Sequence, residues 1–459
     1  MNAMKRFLLV LLMWPAWANG QIITTWLGGG LGGGTDGVGD GLNKSFAKFI
    51  NPANAFFDQH GNFYFADQVE QRVRKVDTAG IVTSVAGTGG LGGFNGDSGL
   101  ADTSELFQPE SVITDSIGNV YIADSRNHRI RKISYITGII STIAGTGIAG
   151  YNGDNILAIN AQLSGPSDIC FDTKGNLYIS DGGNHRIRKI NSSGVITTYA
   201  GSGILGCTVN GGHADTTEIG ASTGICSDTI GNIYISDESE ERVYKVDTSG
   251  VITIVVGGTG SGVYNGDNIP AITAEIDPFK LSINHAGNLF VADGINNRVR
   301  MIDDSGIIHT AAGNGLSAYS GDNGFADSAS IEEPGAVGFD ACDNLYIAET
   351  SPAPARFRKV TFYTCMPDTA TFINKITSNQ SINIYPNPVN DVLHIDYAST
   401  NTQFTISNML GLSVLQGLLS AGTNSINVSA LPPGLYVLGL SPFPSERVGV
   451  RLFRKIVKE

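Results

Sequence analysis

The sequence predicts an all-β protein: a six-bladed β-propeller of four-stranded antiparallel blades, followed by a small C-terminal β-sandwich. Three observations predict this. A Gly-Asn pair recurs at positions 61, 118, 175, 231 and 287, with Asp343-Asn344 as a sixth, degenerate copy, at intervals of 56 or 57 residues. Such fixed self-similarity is the mark of a repeat architecture. Each copy lies within the same series of short apolar-alternating segments, and four strands per repeat make one propeller blade. After about residue 365 the repeat stops and a segment of different character begins.

Within each repeat the elements follow in order. A strand such as SVITD, ending at Asp115, or DICFD, ending at Asp172, precedes the Gly-Asn turn. A second strand follows it and ends on an acid: Asp67, Asp124, Asp181, Asp237, Asp293 and Glu349. Its period-two alternation of aromatic and β-branched residues means strand. A short polar loop leads to a third strand headed by Arg72, Arg129, Arg186, Arg242, Arg298 or Arg356. A glycine turn at 80, 138, 194, 250 or 306 opens the fourth. The sixth repeat has no fourth strand of its own, and the segment Ile22–Gly28 has the pattern of one. This N-terminal strand is expected to close the last blade, leaving no open sheet edge.

The third repeat carries the fullest set of these features: Asn152-Gly153-Asp154, Ala158, Ala161, Leu163, Pro166, Gly175-Asn176 and Asn184-His185-Arg186. In these residues the chain resembles the NHL-repeat propellers, over about residues 22–365. The fourth repeat departs furthest. It has Asn210-Gly211-Gly212-His213 in place of Asn-Gly-Asp, Ser222 in place of the proline, and Glu238, Glu240 and Glu241 before Arg242.

The ends point to export. Residues 1–20 read as a signal peptide: Lys5 and Arg6, an apolar run too short to span a bilayer, then Ala16-Trp17-Ala18. No later stretch reaches the roughly 20 apolar residues of a membrane helix. The propeller is expected over 21–365, a polar linker over 366–380 and a second domain over 381–459. That domain contains Tyr385-Pro386-Asn387-Pro388, then Leu431-Pro432-Pro433-Gly434-Leu435-Tyr436, and Lys455-Ile456-Val457-Lys458 at its end. In order and spacing these resemble the C-terminal sorting domain of the Bacteroidetes type IX secretion system. The resemblance implies handling by that machinery, removal of the tail, and release or attachment at the outer-membrane surface.

The candidate chemistry is sparse. A net charge of −13 disfavours nucleic acid as a partner. The Asp or Glu followed by Arg in every repeat, five residues apart except in the sixth, is expected to form structural ion pairs or loop hydrogen bonds. The Asn-Gly-Asp loops are expected to be turns, although their oxygen ligands leave Ca2+ as the one possible cofactor. There is no HExxH, phosphate-binding loop or nucleophile-elbow motif, so enzyme activity has no sequence basis. Of five cysteines, Cys170 and Cys226 are expected to be buried thiols, and Cys342 and Cys365 could form a disulfide worth about 2–4 kcal/mol.

The expected function is a binding platform for an extracellular protein or glycan, on the face where the blade-to-blade loops and the Asp-to-Arg loops emerge. The candidate residues lie where repeats disagree, in segments 28–48, 207–217, 238–241 and 351–355. His213, Asp215, Glu238, Glu240 and Glu241 are chosen among them. The alternatives are a propeller hydrolase or lyase with a channel metal, and a passive surface structural protein.

Overall fold

The computed structural model describes residues 21–28, 40–206, 211–350 and 355–362, and in the tail 383–385, 391–397, 402–408, 413–420, 422–431, 434–441 and 452–458. The predicted signal peptide, the linker, Cys207, Cys365, Pro386, Asn387, Pro388 and Pro432 lie outside them. The chain divides into two compact units, 1–362 and 363–459.

The first unit is a six-bladed propeller. Blade 2 shows the pattern, with Pro109–Thr114 innermost, then Val120–Asp124, Arg129–Ile133 and Ile140–Ala144, each antiparallel to the next. The Gly-Asn turn works through the acid that precedes it. Asp115 Oδ1 accepts from the backbone N–H of Ile117 and Asn119, and Oδ2 accepts from Asn119 Nδ2 at 2.7 Å and Tyr121 Oη at 3.1 Å. Gly118 sits at φ +99°, a conformation that glycine adopts without penalty. Asp58, Asp172 and Asp340 make the same set of bonds.

Every residue of Val120–Asp124 is buried, because neighbouring blades cover both faces of this sheet. The apolar clusters accordingly lie between blades: Ile113, Tyr121, Ala123 and Ile130 of blade 2 pack with Ile169, Leu177 and Ile179 of blade 3. Each such side chain contributes about 1.5–3 kcal/mol on burial.

Ring closure takes the expected form. Ile22–Gly28 pairs antiparallel with Arg356–Thr361 as the outer strand of blade 6, with Ile22 opposite Thr361 and Gly28 opposite Arg356. Short strands from the blade-to-blade loops, Ile156–Leu157, Ile269–Pro270 and Gly324–Phe325, add a fifth edge to blades 3, 5 and 6. The closing seam is aromatic: the Trp26 ring lies 5.0 Å from Phe63 and 4.8 Å from Tyr346.

Of the two expected roles, the first arginine of the third strand takes the loop hydrogen bonds, and in most blades the ion pair falls to the next arginine on that strand. In blades 1, 2, 3 and 5 the buried acid ending the second strand meets the second arginine of the third strand, seven residues on. Arg74–Asp67, Arg131–Asp124, Arg188–Asp181 and Arg300–Asp293 lie 3.3–3.7 Å apart. Glu349 of blade 6 meets both Arg356 and Arg358. The same five inner guanidiniums reach a second acid at 2.7–3.1 Å: Asp40, Asp97, Asp154, Asp267 and Asp322. Three of these, Asp97, Asp154 and Asp267, are the Asn-Gly-Asp acids, so that motif is a clamp on the arginine as well as a turn.

The two arginines share a strand face, as period two requires. The one nearer the loop is taken by loop carbonyls, and the deeper one is left for the acid. An aromatic ring completes the clamp. Phe94, Tyr151, Tyr264 and Tyr319 each lie 3.7–3.9 Å from the first guanidinium and 4.7–5.0 Å from the second.

The second unit holds two sheets. Asn383–Tyr385, Val392–Tyr397 and Gly422–Asn427 form one. Thr402–Asn408, Ser413–Leu419, Gly434–Ser441 and Leu452–Lys458 form the other. Leu393, Ile395, Phe404, Ile406, Leu419 and Ile426 are buried in one cluster contributed by both. The strand beginning at Gly434 pairs with the last strand of the chain, Tyr436 opposite Ile456 and Val437 opposite Lys455.

Candidate functional site

One face of the propeller gathers both sets of loops. Pro166 pairs with Asp181, Asp181 with Arg186, and Ile187 with Ala200, so the start of the inner strand, the second-to-third loop and the end of the outer strand share one end of blade 3. In blades 1, 2, 3 and 5 the blade-to-blade loop on this face begins with a short glycine-rich run that the outer arginine pins. Arg72, Arg129, Arg186 and Arg298 donate to the carbonyls of Thr88, Thr146, Ser202 and Asn314 at 2.7–3.0 Å. A Cβ on Gly147 would fall 2.2 Å from the Arg129 guanidinium, so the close approach requires glycine. Asn127, Asn184 and Asn296 tie the loops on the other side of their blades, donating to Gly93, Gly150 and Gly262 carbonyls at 2.7 Å. His128 Nδ1 accepts from Gly165 N–H, so within the Asn-His-Arg run these residues hold loops together.

The pinned loops hold aliphatic side chains in solvent. Leu91 is 95% exposed, and Ile148, Ile204, Leu205, Val263 and Leu316 are 56–64% exposed. A hollow of ≈ 520 Å³ lies beside the Leu91 loop, lined by Ile50, Val69, Glu70, Arg72, Thr88, Gly89 and Gly90.

At the axis the inner strands carry a bulge near their first residues, which re-aims side chains. Between Pro278 and Leu281 the register shifts by one residue, as it does in blades 2, 3, 4 and 6. Lys280, at the channel-lining position, crosses from blade 5 to blade 3. Its Nζ donates to Ser167 O at 2.6 Å and lies 3.3 Å from Asp168 Oδ1. Blade 4 has Gly224 on this path, where a Cβ would sit 2.9 Å from the Lys280 Cα. Burial pushes the Glu110 carboxyl above its ordinary range, with Lys280 acting in the opposite sense. Gln68 donates to Glu110 at 3.3 Å. Among the described residues no group of three or more His, Cys, Asp or Glu side chains is arranged to hold a metal ion.

The sequence-selected residues fall into two places. His213 and Asp215 are exposed at the outer edge of blade 4, where His213 bridges Val251. Glu238, Glu240 and Glu241 form the second-to-third loop of the same blade, beside Asp277 of the following blade-to-blade loop. Burial and then the Asp277 charge push Glu238 and Glu241 above the usual carboxylate range. Asp277 is also raised by burial.

Blade 4 lacks the clamp. Buried Tyr244 occupies the place of the inner arginine, and Gly212 that of the loop acid. Burial still raises the Asp237 carboxyl to about 6, against hydrogen bonds from the Gly220 and Glu240 N–H groups. Cys170 and Cys226 are free, and burial pushes both thiols up. Cys342 is disulfide-bonded, and its partner lies outside the described residues.

Sequence reasoning missed the exposed aliphatic tips and Lys280. The tips had a signal, since an aliphatic residue follows the Gly-x-Gly at 147, 203 and 315.

Residues 163–190 match the NHL repeat model, and residues 383–445 match the secretion system C-terminal sorting domain. Protein SUPPRESSOR OF QUENCHING 1 of Arabidopsis thaliana is 25% identical over 284 residues, 58% of this chain and 26% of that protein. Mouse teneurin-4 is 27% identical over 302 residues, 57% of this chain and 11% of its own length. The chain thus spans a minor part of both relatives. Human NHL repeat-containing protein 2 is 26% identical, covering 62% of this chain and 44% of that protein.

Among solved structures, an auxiliary nutrient binding protein from Bacteroides thetaiotaomicron superposes with a TM-score of 0.54 at 17% identity, over 74% of this chain and 76% of that one. A Bacteroides thetaiotaomicron protein of unknown function gives 0.54 at 16%. The sorting domain indicates secretion or attachment at the cell surface, and no helix among the described residues is long and apolar enough to cross a membrane. The chain is an NHL-repeat six-bladed β-propeller followed by a secretion-system C-terminal sorting domain.

Proposed function

We propose that the propeller is an extracellular binding platform whose loop face docks a macromolecular partner. The carrying observation is the set of solvent-held aliphatic tips at Leu91, Ile148, Ile204, Leu205, Val263 and Leu316 on loops pinned by buried or half-buried arginines. Single exposed apolar residues are ordinary on any protein. Here they recur at one place in successive loops, on backbone already ordered, so docking spends little further entropy. A protein surface offers such tips an apolar counterpart, whereas a hydroxyl-rich glycan offers less. The auxiliary nutrient binding protein that shares the fold shows that this architecture can serve binding.

The channel favours this reading over a metal-dependent hydrolase or lyase. The Asp168 carboxylate faces the Lys280 ammonium, which fills the place a cation would take.

The test titrates labelled full-length protein onto cells that do not make it. Saturable binding is expected, weakened at least about tenfold (about 1.4 kcal/mol) when Leu91, Ile148 and Leu316 are all changed to serine. It should be unchanged in the opposite-face control Ile117→Ser with Ile230→Ser. Equal binding by both variants, or none by the parent, rejects the proposal.

A further inference from the structure

The loop face is not uniform, and its one irregular sector has a distinct chemistry. Blade 4 lacks the Arg-Asp clamp, and the loop leading into it presents two adjacent tips, Ile204 and Leu205. That loop ends against the blade 4 second-to-third loop, where Ala221 N–H donates to Ser239 Oγ at 3.2 Å. On the other side of the same loop, Glu241 abuts the loop carrying Val263: a Cβ on Gly262 would fall 2.6 Å from Glu241 Oε1. Asp277 accepts from Ile295 N–H, and Ile295 is itself exposed. The glutamates therefore sit between the end of the loop that carries Leu205 and the loop that carries Val263.

Among the described residues these acids face one another without a cation. No ion pair to Glu238, Glu240, Glu241 or Asp277 forms among the described residues, and Glu241 Oε2 is buried with no hydrogen-bond partner there. Each of the other five blades places a guanidinium at the corresponding depth.

We infer that the sector built by Leu205, Glu238, Glu240, Glu241, Val263 and Ile295 docks a cationic polypeptide segment bearing apolar side chains. The inference rests on the loop-face reading and names its sector and partner chemistry. Charge selects the occupant. A second copy of this chain would bring a molecule of net charge −13 against the same acids. A neutral glycan would leave both the carboxylates and the tips unmatched. A segment combining lysine or arginine with aliphatic residues meets both.

The test uses the full-length chain and three synthetic dodecapeptides, alternating Lys-Leu, Lys-Ser and Glu-Leu, with calcium alone as a fourth ligand, followed by calorimetry at low and high salt. The Lys-Leu peptide should bind and weaken with salt, and the other ligands should bind at least about tenfold more weakly. The charge variant Glu238→Gln, Glu240→Gln, Glu241→Gln and the tip variant Leu205→Ser, Val263→Ser should each lose at least about tenfold. The distant opposite-face pair Ile117→Ser, Ile230→Ser should lose none, and an unchanged melting curve certifies each fold.

Equal binding of Lys-Ser and Lys-Leu would reduce the sector to unspecific electrostatics and overturn the inference. Calcium binding in place of peptide would overturn it too, as would a loss from the distant pair as large as from the sector variants. Absence of peptide binding beside intact cell binding would reject this sector while leaving the loop-face reading standing. Loss of the cell binding itself would reject that reading instead.

Discussion

Arg131 lies fully buried between two carboxylates, Asp124 at 3.3 Å and Asp97 at 3.1 Å, and its counterparts in four other blades do likewise. Removing the guanidinium leaves a buried acid without its charge partner. Arg131→Met is therefore expected to destabilise the propeller by about 3–5 kcal/mol in denaturant unfolding. A loss below about 1 kcal/mol would mean that the pair is dispensable.

One cation against two anions also explains where a proton would go. Charge balances when one carboxyl is protonated, and burial places the proton on the inner one: Asp124, Asp181 and Asp293 rise to about 6 and Asp67 and Glu349 to about 7. A raised folded-state value means that these groups stabilise fully below about pH 4 and lose that contribution as pH climbs through 6–7. Glu275 works oppositely. Burial would raise it, but bonds from Thr259 and Ser261 hold it at about 2, so its contribution is present above about pH 4.5 and lost as pH falls toward 2. The unfolding midpoint is thus expected to rise between about pH 8 and 5 and to fall again below about 4, with a smaller rise in Asp124→Asn. A midpoint that only declines on acidification would contradict the assignment.

At the scale of elements, the ring depends on a strand contributed from the far end of the repeat array. Ile23 of that strand is wholly buried opposite Val360, within a cluster that includes Ile331, Val337 and Leu345. Ile23→Asp would place an unpaired carboxyl there and should cost several kcal/mol. Limited proteolysis should then cut preferentially at blade 6, and an unchanged digestion pattern would argue that closure contributes little.

Closure was readable because the sixth repeat visibly lacks what Ile22–Gly28 supplies. The strands were readable for the same reason that the repeats were, since each interval restates one alternation. The ion pairs were read only halfway. The sequence displays the interval to the first arginine, while the choice between two arginines on one strand face depends on the loop carbonyls that compete for them. Lys280 was visible only as a lysine at the repeat position of Asn54, Ser111, Asp168, Gly224 and Ala336; its contact with Asp168 depends on the ring bringing blades 3 and 5 together at the axis. In blade 4 the odd residues were legible as odd. That Tyr244 and Gly212 depart together from one clamp becomes visible only once Asp97 and Arg131 are seen in contact in blade 2.

For the whole molecule, two independently cored units divide the work: the propeller presents loops, and the tail directs export. Leu452–Lys458 is the edge strand of the second sheet of the tail. Truncation before residue 452 should leave the melting of the propeller unchanged while the chain fails to reach the exterior, as measured by fractionation. Normal export of the truncated chain would contradict the role of that strand.

The loop-face assignment itself is tested most directly by a photo-crosslinking scan on the full secreted protein in its own extracellular environment. A photoreactive residue is placed in turn at Leu91, Ile148, Leu205, Val263 and Leu316, and at the opposite-face positions Ile117, Ile136 and Ile230. One common crosslinked macromolecule is expected from the loop-face positions and none from the opposite face. Crosslinks to that species from the opposite face alone, or from both faces equally, would contradict the assignment.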